Sequence, residues 1–282
     1  MEPVEATVPM ANGHAMHYSR YGPAEASVTY VCLHGSPGTW RDFKYLAPRL
    51  VADDTNVLSF DLPGFGRTSA KVVGGSSKLT ATSLATAVVD ALQLLSLRHC
   101  IVVGHSMGGL TTLEVAAGLA TQPWLKGAVF LNPAGLRPHK ARWPITESAL
   151  AWALRLAGPG SNPMTRWNHH IHVNGLKLPK ATHEFDCANA VYRLASVDYD
   201  TLQTAAMTVV ARRLPAFVAI ATDDHVVEAV VGRELGEALR AQVIKEYANG
   251  GHHLQKTQAA DLAHKLRAWT KDVVLRQPMS RL

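Results

Sequence analysis

Cysteine is scarce in this sequence. Three cysteines occur among 282 residues, Cys32, Cys100 and Cys187, and an odd number cannot complete a framework of disulfides. Cys32 and Cys100 lie inside apolar runs, where a thiol behaves as a small buried hydrophobe. The scarcity argues against a disulfide-stapled scaffold and is typical of a protein from a reducing compartment.

Long apolar runs and basic runs are also missing. No segment approaches the roughly 20 apolar residues that a membrane-spanning helix needs. The N-terminus "MEPVEATVPM" carries glutamates and lacks the apolar core of a secretory signal. The net charge is +6, but Lys and Arg are scattered, which argues against nucleic acid as a partner. We therefore expect a soluble protein, made inside the cell, that acts on a small molecule.

Short apolar runs recur along the chain, and each ends at a Gly, Pro, Asp or Ser. They are apolar at both alternating positions, as strands buried on both faces should be. Helical patterns separate them, which predicts βαβ units and a parallel sheet. An N-terminal hairpin turning at Asn12-Gly13 predicts antiparallel strands at one edge. The five clearest runs are "VTYVCLHG" (28–35), "NVLSFDLPG" (56–64), "CIVVGHS" (100–106), "AVFLNPAG" (128–135) and "FVAIATDD" (217–224).

The alternation breaks once, over residues 136–214. This block holds helical stretches such as "TESALAWALRLAG" and no strand-like run. The sequence therefore predicts an α/β fold with a mostly parallel central sheet and flanking helices. Residues 1–135 and 215–282 form its core, and residues 136–214 form an inserted helical cap.

The stretch "IVVGHSMGGL" (101–110) places a serine where a strand-like run meets a helix-like one. A reversal this sharp leaves no room for side chains around Ser106, and Gly104 and Gly108 supply that room. The pattern G-x-S-x-G in a strand–turn–helix context is a nucleophile elbow. A bare serine is a poor nucleophile, so the site also needs a base, an acid that orients the base, and oxyanion donors.

Candidate oxyanion donors follow the first core strand. The loop "HGSPG" (34–38) ends at the same edge of the sheet as Ser106, and its glycines allow a backbone N–H to point at a developing oxyanion. We expect the N–H of Ser36 to be one donor and the N–H of Met107 the second. The loop also fits an ordinary strand-to-helix turn.

The candidate acid and base come from two further loops. "IATDDHVVE" places two acids after a strand, and we favour Asp224 over Asp223 because it lies further into the loop. "YANGGHHLQKT" places two histidines after a glycine pair, and we favour His252 over His253 because adjacent side chains diverge.

The order Ser106, Asp224, His252 is that of the α/β-hydrolase triad. The chain resembles the capped branch of the α/β-hydrolase fold superfamily along nearly its whole length, through "HGSPG", "DLPGFGRT", "GHSMGG", "ATDDHVV" and "GGHHLQKT". The resemblance implies that Ser106 is the nucleophile, His252 the general base, and Asp224 the group that orients the imidazole.

A serine at the elbow suits attack on acyl carbon, whereas relatives that open epoxides or displace halide use aspartate. We therefore expect a carboxylesterase-like serine hydrolase that cleaves an ester or thioester of a small apolar acyl substrate, with Trp152 and Trp167 lining the acyl pocket. We expect no cofactor. We also expect no metal, because the adjacent histidines of "WNHHIHVNG" (167–175) cannot easily meet one ion.

Three other functions share the same elbow: a carbon–carbon bond hydrolase, a cofactor-free perhydrolase and a non-catalytic ligand receptor. The tail adds an expectation about location. Ser280-Arg281-Leu282 resembles the peroxisomal address S-K-L, and Pro278 cannot continue the preceding helix. In a host with peroxisomes or glycosomes, we expect the protein to be imported by the receptor that binds this signal. In any other host, we expect it to be cytoplasmic.

Overall fold

A central sheet of eight strands organises the chain. The computed structural model describes residues 1–140, 142–158, 160–175, 180 and 182–275. The strands are β1 (Val4–Pro9), β2 (Ala15–Tyr21), β3 (Val28–Leu33), β4 (Thr55–Phe60), β5 (His99–His105), β6 (Leu125–Leu131), β7 (Ala216–Ala221) and β8 (Val243–Tyr247). Their order across the sheet is β1-β2-β4-β3-β5-β6-β7-β8.

The strand directions confirm the predicted fold class. β1 pairs antiparallel with β2, and β2 pairs antiparallel with β4. The five remaining pairings, from β4 to β8, are parallel. The hairpin turns where Asn12-Gly13 predicts it, and Gly13 has a φ of +79°. The apolar runs become strands because each can be buried on both faces, as in β7, whose residues are all buried.

Helices cover both faces of the sheet. The helices are α1 (Ala47–Leu50), α2 (Ala81–Leu94), α3 (Met107–Gly118), α4 (Pro144–Leu156), α5 (Pro163–His170), α6 (Glu184–Ala195), α7 (Tyr199–Ala211), α8 (Ala229–Ala238), α9 (Leu254–Thr257) and α10 (Ala259–Leu275). Short 3₁₀ helices span Trp40–Phe43, Ala70–Val73 and Ser76–Lys78, and a π-helical turn spans Ile171–Gly175. One apolar cluster lies beneath α2, α3 and α8, and a second lies beneath α1, α9 and α10.

Between β6 and β7, the regular secondary structure among the described residues is helical. This stretch contains α4 to α7 and, among its described residues, no strand. Buried residues of these helices, including Leu154, Val191, Leu202 and Val209, belong to the apolar cluster that also underlies α2 and α3. The division into a core and a cap at residues 136 and 214 stays a prediction.

Two further observations concern expectations from the sequence. Cys32, Cys100 and Cys187 are all buried and carry no disulfide. Of the helices described, none is both long and apolar enough to cross a membrane. The tripeptide Ser280-Arg281-Leu282 lies outside the described residues.

Candidate active site

Ser106 stands at the carboxyl end of β5, directly before α3. Its backbone φ is +53° and its ψ is −123°, a combination that strains a residue with a side chain and is held only by tight surroundings. A Cβ on Gly104 would overlap Thr112 Oγ1 and the Gly108 carbonyl, and a Cβ on Gly108 would overlap the Leu33 and His34 carbonyls. The glycines are therefore required for the approach of α3 to β3 and β5, and this approach fixes the serine at the turn.

The structure brings Ser106, His252 and Asp224 together at the carboxyl edge of the sheet. His252 Nε2 lies 3.0 Å from Ser106 Oγ, and His252 Nδ1 lies 2.8 Å from Asp224 Oδ2. A carboxylate only accepts, so Nδ1–H donates to Asp224 and leaves Nε2 free to accept from the serine hydroxyl. The Asp224 side chain is 1% exposed and the His252 side chain 14% exposed, and Ser106 is 8% exposed. The three groups are therefore largely shielded from water.

Backbone donors hold the Asp224 carboxylate in place. Its Oδ1 accepts hydrogen bonds from the N–H groups of Val226 (2.7 Å) and Val227 (3.1 Å). Burial alone raises the pKa of this carboxyl, but the hydrogen bond and charge of His252, together with the two backbone donors, keep the pKa below its usual value. Asp224 is therefore ionised where it meets the imidazole.

The neighbouring residues Asp223 and His253 have different partners. Asp223 accepts hydrogen bonds from the backbone N–H groups of Gly250 (3.1 Å) and Gly251 (2.8 Å), so it ties down the loop that carries His252. His253 is the residue before α9, and burial together with the charge of His252 lowers its pKa. The contacts thus distinguish the two members of each pair: Asp224 contacts the His252 ring and Asp223 contacts the backbone of the loop.

Two residues that the sequence analysis did not single out support His252. His105 Nε2 donates to the His252 carbonyl at 2.7 Å, and Asn132 Nδ2 donates to the carbonyls of Gly251 (2.8 Å) and His252 (3.0 Å). Asn132 Oδ1 also accepts from the Ala221 N–H at 2.8 Å. One signal for Asn132 is present in the sequence: it is a polar residue that directly follows the apolar run "AVFL" at the carboxyl end of β6.

The loop after β3 runs beside the serine. A Cβ on Gly35 would lie 3.3 Å from Ser106 Cβ. His34 fixes this loop, because its Nδ1–H donates to the Gly35 carbonyl (2.7 Å) and its Nε2 accepts from the Leu62 N–H (3.0 Å). Burial lowers the pKa of His34 to about 4, so the ring is neutral. The Ser36 N–H donates to no other residue that the structure describes, and Met107 begins α3, where the first N–H groups lack intrahelical partners.

Comparison with known proteins assigns the chain to a family. A model described as the alpha/beta hydrolase family matches residues 30–265. The chain belongs to the alpha/beta hydrolase family.

Individual relatives resemble this hydrolase-family chain to different extents. The uncharacterised protein F35H12.5 of Caenorhabditis elegans is 31% identical over 114 residues, which are 40% of this chain and 32% of that protein. The chain thus spans about a third of the length of that curated relative. RutD of Variovorax paradoxus (strain S110), provisionally named a carbamate hydrolase, is 25% identical over 266 residues, 87% of this chain and 92% of that protein.

A solved structure shows the same fold. The thermophilic esterase from Thermogutta terrifontis, in its malate-bound form, aligns with a TM-score of 0.67 and 18% sequence identity. The alignment covers 97% of this chain and 99% of the esterase. At this identity the likeness shows the fold alone.

The tryptophans expected to line the acyl pocket lie at the surface of this family member. Trp152 is 63% exposed and Trp167 is 53% exposed. A cleft of about 860 Å³ lies between helices α4 to α6 and the segment after β4, with Leu154, Phe185 and Tyr192 among its lining residues. Neither tryptophan lines that cleft, so their role in binding substrate stays a prediction.

The turn "DLPGFGRT" has a structural explanation in its contacts. The buried Asp61 carboxylate accepts from His17 Nδ1 (2.9 Å) and from the backbone N–H groups of Trp40 (2.8 Å) and Arg67 (3.0 Å). These contacts join β2, the 3₁₀ helix after β3 and the turn after β4. Among the described residues, no cluster of three or more His, Cys, Asp or Glu side chains could hold a metal ion.

Proposed function

We propose that this alpha/beta hydrolase is a serine hydrolase that cleaves an ester or thioester of a small, apolar acyl substrate. The observation that carries the proposal is the chain of contacts from Ser106 Oγ through the His252 ring to Asp224, at 3.0 and 2.8 Å. These distances are within the reach that proton transfer between a nucleophile and a base requires.

The reaction begins when Ser106 Oγ attacks the acyl carbon. His252 Nε2 accepts the hydroxyl proton, and Asp224 stabilises the imidazolium that forms. The carbonyl oxygen becomes an oxyanion, and the N–H groups of Ser36 and Met107 donate to it. The tetrahedral adduct collapses when the bond to the leaving group breaks and the proton on Nε2 moves to the leaving group.

The acyl group then remains on Ser106 as an ester. Water attacks that ester while His252 Nε2 accepts a proton from the water. A second tetrahedral adduct collapses, and the proton returns to Ser106 Oγ as the carboxylic acid leaves. The same three side chains therefore serve both halves of the reaction, which is why the imidazole must keep one orientation throughout.

Acyl chemistry is proposed rather than epoxide opening because the elbow residue is serine. The substrate class is tested with p-nitrophenyl esters and acyl thioesters of increasing acyl length, assayed for the wild type and the Ser106→Ala variant. We expect turnover by the wild type alone. An absence of turnover with every ester and thioester, together with measurable binding of them, would point to a ligand receptor instead.

Two other reactions on the same residues are separated by their own assays. A perhydrolase would show halogenation that depends on added peroxide and a carboxylic acid. A carbon–carbon hydrolase would consume a dienol diketone faster than any ester. We expect ester or thioester turnover to exceed both.

The tail supports a separate proposal about location. In a host that has peroxisomes or glycosomes, we propose that Ser280-Arg281-Leu282 binds the import receptor for S-K-L-type signals. A fluorescent protein fused ahead of the intact chain should then collect in puncta, and deletion of Leu282 should disperse them. Diffuse signal from the intact fusion would exclude this address.

A further inference from the structure

One buried arginine connects the two segments that flank Ser106. Arg193 lies on α6, and its side chain is fully buried. Its Nη1 donates to the Gly35 carbonyl at 3.3 Å. Its Nη2 donates at 2.7 Å to both the Met107 carbonyl and Thr111 Oγ1. The guanidinium therefore bridges the loop after β3 and the first turn of α3.

This charge is costly to bury. Among the described residues, no carboxylate forms an ion pair with Arg193, and its Nε has no hydrogen-bond partner. Burial lowers the pKa of Arg193 to about 9, and the negative charge of Glu114 offsets this effect only in part. An apolar side chain would fill the same volume without desolvating a charge. Packing alone therefore does not account for a guanidinium at this position.

Both carbonyls belong to the backbone that supplies the proposed oxyanion donors. The Gly35 carbonyl shares one peptide group with the Ser36 N–H. The Met107 carbonyl belongs to the residue whose N–H is the second donor. A hydrogen bond to a carbonyl oxygen polarises its peptide group, and in a low-dielectric interior this strengthens the N–H on the same group.

We propose that Arg193 is a positioning residue for the oxyanion hole, holding the two donor segments in register and polarising the peptide that carries the Ser36 N–H. This inference rests on the proposed function. Arg193 does not touch the reacting atoms in this account. It acts through the backbone, and its fixed positive charge favours the negative charge that develops beside it in the transition state.

A purely structural role would produce a different result, and a second buried arginine serves as the matched control. Arg142 is 8% exposed and also lies in the helical stretch between β6 and β7. Its guanidinium contacts Glu147, the Leu194 carbonyl and Tyr199 Oη, and neither donor segment. Arg142→Met removes a buried guanidinium from the same stretch but none of the hydrogen bonds that Arg193 makes to the donor segments.

The experiment compares Arg193→Met, Arg193→Lys and Arg142→Met with the wild type. The readouts are kcat and KM for a short p-nitrophenyl ester, the affinity for a trifluoromethyl ketone that forms a tetrahedral adduct, and the thermal midpoint. Loss of one oxyanion donor costs about 10²–10³-fold in kcat, so we expect about 10²-fold or less for Arg193→Met, because the donors themselves remain. KM should change by less than about threefold, and the affinity for the ketone should fall in parallel with kcat.

Arg193→Lys should fall between the wild type and Arg193→Met, because an ammonium keeps the charge but lacks the planar fork that reaches both carbonyls. If Arg193→Met does not fold, the proposal is tested with Arg193→Lys alone, for which we expect a loss of about tenfold in kcat. Wild-type kcat in a folded Arg193→Met or Arg193→Lys variant would overturn the proposal. So would an equal loss of kcat in Arg142→Met. Full turnover by Ser106→Ala would instead remove the proposed function, and the oxyanion hole with it.

Discussion

The edge of the sheet around Ser106 and the helices between β6 and β7 are built differently. At the edge, the side chains are enclosed, and Ser106, His105 and Asp224 are each 8% exposed or less. On the helices, large apolar side chains face outward: Ile145 is 88% exposed and Trp152 is 63% exposed. Buried side chains that are held by hydrogen bonds determine which reaction the site can catalyse. Exposed apolar side chains do not determine which acyl group the site binds.

The strongest test of this contrast removes the proposed nucleophile from the packed edge. Ser106→Ala should lower kcat for a short p-nitrophenyl ester by about 10³-fold or more, because only the oxyanion donors and binding would remain. The thermal midpoint should stay near that of the wild type, since the change deletes one oxygen. A variant that keeps more than about a tenth of wild-type turnover would mean that Ser106 is not the nucleophile.

The two histidines of the loop after β8 provide a matched pair. His252→Ala should lower kcat by about 10³-fold, since Ser106 loses its proposed base. His253→Ala should lower it by less than about tenfold, because His253 makes no hydrogen bond to Ser106 or Asp224 in the described structure. Steady-state kinetics on the same ester give both values. Equal losses would show that the loop as a whole, and not one imidazole, supports activity.

The two aspartates after β7 provide a second pair with a somewhat smaller effect. Asp224→Asn should lower kcat by about 10²–10³-fold, because an amide favours the wrong tautomer of His252. Asp223→Asn keeps one acceptor for the Gly250 and Gly251 N–H groups and should cost less than about threefold in kcat. If both variants are equally active, Asp224 does not orient the base.

Two glycines of α3 test the packing of the edge through stability. Gly108→Ala should lower the free energy of unfolding by about 3 kcal/mol, because its Cβ would overlap the Leu33 and His34 carbonyls. A Cβ at Gly118 would contact only Val89 Cγ2, at 3.5 Å. Gly118→Ala should therefore raise the free energy of unfolding by about 0.5–1 kcal/mol through helix propensity. Urea unfolding of both variants measures the difference. Similar values would mean that the elbow tolerates displacement of α3.

Substitutions at exposed positions of the helices between β6 and β7 should have the smallest effect on stability. Trp152→Ala and Trp167→Ala should change the free energy of unfolding by less than about 0.5 kcal/mol, as surface substitutions do. If these tryptophans line the acyl pocket, KM for the longest acyl ester should rise several-fold while kcat is kept. Unchanged KM across the ester series would remove both residues from the substrate site.

The sequence could predict those features of the fold and the candidate site that depend on residues close together along the chain. The apolar runs specify the strands, and the glycines around Ser106 specify the elbow. The positions of Asp224 and His252 in loops after strands place both at the edge where parallel strands end. The relative orientation of Asp223 and Asp224 was harder to predict, because it depends on which backbone N–H groups each carboxylate meets.

Contacts between residues that are far apart in the sequence could not be predicted in this way. Arg193 contacts Gly35 across 158 residues of sequence, and a lone arginine in an amphipathic helix is most simply interpreted as a surface residue. His105 and Asn132 support His252 across 147 and 120 residues. The exposure of Trp152 and Trp167 could not be predicted either, because the sequence does not show whether another element covers an apolar residue on a helix.

The most direct test of the central claim, that Ser106 is a nucleophile activated by His252, is covalent labelling with a fluorophosphonate. Intact-mass measurement of the wild type should show a single adduct per chain, and peptide mapping should place it on Ser106. The adduct should be absent from Ser106→Ala and should form far more slowly in His252→Ala than in His253→Ala. Labelling of another residue, or equal labelling of the wild type and Ser106→Ala, would contradict the account.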